Sequence, residues 1–321
     1  MHKIFGTLSL LVALLALLIF TPARAQIAFS DSVRIGLLTC SSGPDAYERF
    51  GHAGIRIQDL KKADLDVTFH YGVFSFNTPN FVYRFVKGET DYQLGAVYSS
   101  DFINEYCRRG LGMTQQWLRL DSAQVQDMIQ RLLVNYRPEN RTYRYSYFFD
   151  NCSTRPYRLL QAVTDNSIRY DSTWTHAITL RQMVQERSGT DNWLDFGIAL
   201  AVAGRSDIPT LYEEQMFLPD YLAGAIDHAE IPARLGDQIW YQPLVAEKDT
   251  LLTMRPEIEA AIVAPDPLKP ALVFAFVLVL AMIISLRQYL DKKAQNLGKP
   301  ASKSLRMSAN AFDTVFFLFL G

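Results

Sequence analysis

Residues 143–160 read YRYSYFFDNCSTRPYRLL and join a strand-like run to a helix start, with a single cysteine between them. Tyr143, Tyr145, Tyr147 and Phe149 alternate with other residues, the period of a half-buried strand. Thr154 and Pro156, followed by Leu159 and Leu160, have the pattern of a cap, a first turn and a packed helical face. Cys152 therefore falls at or near a helix N-terminus. Unpaired backbone N–H groups and the positive end of the helix dipole favour a thiolate there and can hold an oxyanion. A free cysteine is also among the most buried residue types, so a packed, inert thiol is the competing reading.

Upstream, Val33 to Thr39 reads as a strand broken by Cys40-Ser41-Ser42-Gly43-Pro44. From His52 the period is two, with His52, Gly54 and Arg56 on one face and Ala53, Ile55 and Ile57 on the other. The apolar face packs, so His52 is expected to look toward a groove or solvent, where Gly51 and Gly54 leave room for a ligand. Leu65 to Phe76 returns as a second strand, and a hairpin turning near Lys61 or Lys62 brings His52 level with His70 and Tyr71. A one-residue slip would turn His70 to the opposite face. Further strands are expected over 90–97 and 115–120. A helix from Asp121 or Ser122 to Asn135 buries Val125, Met128, Ile129, Leu132 and Leu133. Beyond the Cys152 helix the pattern is helical over 179–186, 193–204 and 218–228, and Lys248 to Pro267 reads as a linker. His176 and His228 have no chemistry-like neighbours.

The start of the chain has a basic residue, an apolar run from Ile4 to Phe20 and a small-x-small site at Ala23 and Ala25, which make a secretory signal peptide over 1–25; an uncleaved anchor is the alternative. Residues 26–170 are expected to form the catalytic domain, 171–264 a helical extension and linker, and 265–321 a membrane region. That region has one span at about 269–288 and the start of a second at about 312. Arg287, Lys292 and Lys293 follow the first span and mark its cytoplasmic side, which leaves the preceding domain on the far side of the membrane. The run VFFLFLG from Val315 is still apolar at Gly321, as in a fragment of a longer protein. A net charge of −1 with mixed signs gives nucleic acid nothing to bind. Cys40, Cys107 and Cys152 are an odd number for an oxidising compartment: either one thiol is free or an intermolecular bridge forms, and a Cys40–Cys107 pair would leave Cys152 free. No CxxC and no His/Cys cluster of metal spacing occurs, so neither metal nor cofactor is expected.

Histidine on a strand edge first and cysteine at a helix start later is the order of a circularly permuted papain-like (NlpC/P60-like) fold, an α+β class with an antiparallel sheet. The phrases LLTCSSGPDAYERFGHAGIRI, HYGVFSFNTPNFVYRFVKGETDYQLG, YRPENRTYRYSYFFDNCSTR, WLDFGIALAVAG and EEQMFLPDYL, spread over about Ile35 to Leu222, resemble the Lnb family of Bacteroidota, lipoprotein N-acyltransferases with a periplasmic N-terminal domain and a multi-span membrane domain. The resemblance implies transfer of an acyl chain from a phospholipid donor to the α-amino group of a diacylated lipoprotein at the inner membrane. Cys152 would be the nucleophile, His52 the base and His70 the group that orients it, with Asn151 and Ser153 supporting the oxyanion. The family pattern often carries Asn where this chain has His70. Two alternatives stand beside it: a peptidase or amidase acting on cell-wall peptides with the same residues and water as the acceptor, and a membrane-anchored binding module with Cys152 inert.

Overall fold

The computed structural model describes residues 29–297 except 75, 76, 78, 172, 174, 175, 203 and 264. The expected signal peptide, the apolar run from Val315 and the second span lie outside the described residues. Seven antiparallel strands form the main sheet. Its centre is a meander of β1 (Val33–Cys40), β2 (His52–Asp59), β3 (Asp66–Val73) and β4 (Asp91–Tyr98); a short helix, α1 (Phe81–Val86), precedes β4. β5 (Met113–Leu118) lies on the other side of β1, β6 (Thr142–Arg144) closes one edge and β10 (Val245–Leu252) the other. The class is α+β, as expected.

Alternation divides the sheet into two unlike faces. Ile35, Leu37, Ala53, Ile55, Ile57, Val67 and Phe69 point to one face, where three helices cover them. These are α3 (Ser122–Tyr136), α4 (Thr154–Val163) and α7 (Pro219–Asp227), which contribute Val125, Met128, Ile129, Leu132, Tyr157, Leu160, Leu222 and Ile226 to the same core. Asp121 caps α3: its carboxylate accepts from Gln124 N–H while the Gln124 side chain accepts from Asp121 N–H.

The opposite face was expected to look onto a groove or solvent. Instead α2 (Ser99–Arg109) covers one end of it, and Leu38, Cys40, Phe102 and Met113 form a second small core there. The sequence reading missed α2 because its residues are mostly polar and few of them are buried. At the other end the face is a polar ladder. Arg56 donates to Asp66 (Nε–Oδ1, 2.8 Å) and to Gln115 Oε1 (2.6 Å), Gln58 donates to Asp66, and Arg34 lies over the Trp117 ring at 3.8 Å. Burial would raise the Asp66 carboxyl, but the hydrogen bonds led by that of Arg56 hold it below its ordinary value.

Residues 171–264 are not the helical extension the sequence suggested. They contain α5 (Leu180–Ser188), α6 (Trp193–Ala201), α7 and α8 (Pro256–Val263), but also β8 (Ala229–Leu235), β9 (Gln238–Pro243) and β10. β8 pairs with β9 on one side and with β7 (Arg169–Tyr170) on the other in a small sheet, while β10 completes the main one, so Lys248 lies in a strand and not in a linker. The reason is tertiary: β5 has a free edge until β10 covers it, and an uncovered edge is a pairing surface. The run expected to be a strand over 143–149 shortens to β6, because the chain turns back on itself through a Ser146–Asp150 bridge. Last comes α9 (Pro270–Asn296), whose segment Pro270–Leu290 is the only described helix long and apolar enough to cross a membrane, and it is almost wholly exposed.

Removing Arg56 strands a largely buried carboxylate. Arg56→Met is expected to destabilise the fold by on the order of 2–3 kcal/mol, the low end for breaking a buried pair because both groups keep some exposure. Denaturant unfolding of the variant measures this.

Candidate active site

The β2–β3 hairpin turns at the buried Asp59, whose carboxylate accepts from Ser30 and from the backbone of Lys61 and Lys62. Pairing runs Ile55↔Phe69, Arg56↔Thr68, Ile57↔Val67 and Gln58↔Asp66. Continued along the strands, this register sets Gly54 opposite His70 and Gly72 opposite His52. It differs by two residues from a pairing of His52 with His70, and a two-residue offset keeps both on one face. The histidines are diagonal neighbours, with His52 Nε2 3.1 Å from His70 Nδ1 and the rings edge to face. Phe102 of α2 lies against both rings.

Two glycines shape the site, Gly95 and Gly72, and they are not the expected Gly51 and Gly54. A Cβ on Gly54 would come 2.9 Å from Thr68 Cγ2, and one on Gly51 would meet the Cys40 carbonyl at 2.6 Å, so the room beside them belongs to their neighbours. Gly95, opposite His70 on β4, is what gives the His70 ring its place, because a Cβ there would lie 3.0 Å from Nε2. Gly72 sits where the β3–β4 register shifts, at φ +95°, a conformation that favours glycine. A Cβ on it would lie 3.6 Å from Cys152 Cβ and 3.7 Å from His52 Cε1. Gly72 thus borders the gap between the cysteine and the histidine, and only the tertiary fold identifies it.

Cys152 does precede a helix, α4, but Asn151 does not aim a donor at the site. Its Oδ1 accepts from Ser153 N–H (2.8 Å) and Thr154 N–H (2.9 Å), and its Nδ2 donates to the carbonyls of Tyr147 (2.8 Å) and Phe217 (2.9 Å). Its side chain is fully committed to capping α4 and tying it to Phe217. The two capped N–H groups are likewise taken, which leaves that of Cys152 itself. Ser153 is fully buried with its hydroxyl unpartnered. Arg155 holds the loop before Cys152, pairing bidentately with Asp150 at 2.8 Å while its guanidinium lies over the Tyr143 ring at 3.5 Å.

Electrostatics reverse the expected thiolate. Burial pushes the Cys152 thiol up to about 11, against the opposing effect of the Ala53 and Cys152 N–H groups. Burial, with a smaller contribution from His70, pushes His52 down to about 3, and burial alone takes His70 down to about 4. The resting pair is therefore a neutral thiol beside neutral imidazoles. Tyr147 is a residue the sequence reading passed over as an alternation signal: its hydroxyl is enclosed without a partner, and a Cys152 thiolate would raise its pKa further.

All three thiols are free. Cys40 is buried beneath Tyr106 whereas Cys107 is exposed on α2, so no Cys40–Cys107 bridge forms. Cys40 is instead the cross-strand neighbour of His52.

A half-buried cysteine and two histidines meet at one end of an antiparallel sheet, in a domain followed by an exposed apolar helix; this is an α+β domain attached to a candidate membrane anchor. The chain belongs to the Lnb family: the model of the Lnb N-terminal periplasmic domain matches residues 22–186, a range that holds His52, His70 and Cys152. No curated protein and no solved structure matches it. The match and α9 are together consistent with a membrane-anchored periplasmic protein.

Two measurements follow from these ionisation states. The rate of Cys152 alkylation in the folded protein, read by peptide mass spectrometry, should keep climbing past pH 9; a plateau near pH 7 would mean a preformed thiolate. A histidine whose folded pKa lies below its unfolded value binds fewer protons folded than unfolded, so stability should fall as pH drops from about 6.5 toward 4. Melting temperatures across that range should flatten in a His52→Gln/His70→Gln variant.

Proposed function

We propose that this protein is a lipoprotein N-acyltransferase of the inner membrane, with its catalytic domain on the periplasmic side, and that it works through a Cys152 thioester. The observation that carries this reading is the convergence of Cys152 and His52 on Gly72, with His70 bonded to His52 behind it. The chain order His52, His70, Cys152, on a hairpin that precedes the cysteine helix, supports a circularly permuted papain-like arrangement.

With Nε2 of His52 committed to His70, Nδ1 is the nitrogen left to take a proton. His52 then carries its own proton on Nε2 and donates it to His70 Nδ1, which fixes the tautomer. Because the thiol starts neutral, deprotonation accompanies attack: the Cys152 proton passes to His52 as sulfur adds to the phospholipid ester carbonyl. The oxyanion is met by the Cys152 N–H and by the Tyr147 hydroxyl, which has no other partner. Collapse breaks the ester, the leaving alkoxide takes the proton from His52, and lysophospholipid departs. The lipoprotein amine next attacks the thioester and gives a proton to His52. Amide formation expels sulfur, which is reprotonated. A cell-wall peptidase would share the first half-reaction with water as the acceptor; the apolar α9 favours a lipid donor, because a tether raises the effective concentration of bilayer substrates.

Mass spectrometry of lipoprotein N-termini tests this in cells whose only copy is full-length wild type, Cys152→Ser, His52→Ala or Tyr147→Phe. The first two variants should lose one acyl chain with the protein still in the membrane. Tyr147→Phe should slow acylation roughly 100-fold, the lower end for one lost oxyanion donor, since the Cys152 N–H remains. Lipoproteins unchanged in Cys152→Ser cells would sink the reading.

A further inference from the structure

Helix α6 has the sequence WLDFGIALA, and none of its residues is fully buried. Trp193, Gly197 and Leu200 follow one another along an exposed face, with Leu200 74 % exposed. The chain just after it adds Ile208 and Leu211, the latter 72 % exposed. On the inner side Ile198 packs against a buried cluster of Ile178, Leu180, Met183, Val184, Phe217 and Leu218. A surface helix normally turns polar residues outward, and α6 turns out a tryptophan and a leucine.

Its position relative to α9 is fixed by several bonds. Trp193 N–H donates to Asp266 Oδ2 (2.7 Å), Trp193 Nε1 donates to the Leu268 carbonyl (2.8 Å), and Lys269 pairs with Asp191 at 2.8 Å. The rings of Trp193 and Phe196 meet Phe274, at 6.3 and 5.1 Å between centroids. Asp191, Asp266 and Lys269 thus sit at the level where the apolar stretch from Pro270 begins, and Phe274 lies about one turn inside it. Tryptophan is enriched at that level of a membrane, with its ring in the headgroup region and its N–H satisfied.

We propose that α6 is an interfacial helix lying in the periplasmic leaflet, with Trp193, Leu200, Ile208 and Leu211 in lipid, so that the domain rests on the bilayer at a fixed attitude. This rests on α9 spanning the membrane and not on the acyl-transfer reading. The occupant is lipid because Trp193 and Phe196 meet Phe274, which sets the exposed face of α6 beside the exposed apolar surface of α9. One consequence concerns the site. The half-buried rings of Phe148, Tyr147 and Phe50, 4.9 and 5.3 Å apart in turn, pack against the same cluster as Ile198, and Tyr147 is bonded through its carbonyl to Asn151, next to Cys152. One apolar cluster therefore packs against both α6 and the loop that carries Cys152.

The test places a nitroxide at Leu200→Cys in the full-length protein, with Cys107→Ser to remove the exposed native thiol, in phosphatidylethanolamine/phosphatidylglycerol vesicles. A sample without Leu200→Cys corrects for label at other thiols, and Leu278→Cys on α9 reports the span. Oxygen should relax the Leu200 label several-fold more effectively than a water-soluble nickel chelate, as it does at Leu278. Relaxation at Leu200 dominated by nickel, with Leu278 still dominated by oxygen, would overturn the proposal while leaving the span intact. A Leu200 label shielded from both reagents would overturn it in favour of a covering protein helix. Nickel access at Leu278 would remove the span and the proposal together, without touching the lipoprotein result.

Discussion

The register of the β2–β3 hairpin is the constraint on which the rest depends. With Ile55 opposite Phe69 and Ile57 opposite Val67, one face is wholly apolar and can receive α3, α4 and α7. The same register puts His52 and His70 on the other face, diagonal to each other and within hydrogen-bond reach. A one-residue slip of β3 would turn Val67 and Phe69 out of the main core and His70 into it, so packing and chemistry are specified by one choice.

The site itself lies where the two faces meet. Cys152 is brought there just before α4 from the apolar side, His52 comes from the start of β2, and the bulged Gly72 leaves the gap between them open. The neighbouring groups serve position more than charge. Asn151 uses its whole side chain to cap α4 and tie it to Phe217, and Arg155 clamps Asp150 in the preceding loop. The cost of this enclosure is electrostatic, since burial keeps both thiol and imidazole neutral at rest. Such a pair suits base-assisted attack, in which charge develops only once substrate is present.

Much of the fold could be read from the chain. Binary alternation located β1 to β5, the capping residue Asp121 marked α3, the helical pattern over 179–186 marked α5, and the apolar run near Ala271 marked α9. The failures share one cause, which is that the signal lay in a partner segment. α2 has few buried residues and reads as polar, the strand expected over 143–149 is cut short by a tight turn, and β10 is a strand because β5 needs an edge partner.

For the site, residue type and order were enough to single out Cys152, His52 and His70, because a thiol before a helix and histidines on alternating strands are local patterns. What they touch was not legible. Whether Asn151 donates to substrate or caps a helix, whether Cys152 is a thiolate or a thiol, and whether Gly54 or Gly72 makes room for the reaction all depend on atoms contributed by distant segments. Desolvation and hydrogen-bond satisfaction are sums over neighbours in space. The sequence by itself determined the elements, the candidate nucleophile and the apolar helix near the membrane end; only the tertiary structure decided the register, the protonation states and the placement of α6 beside α9.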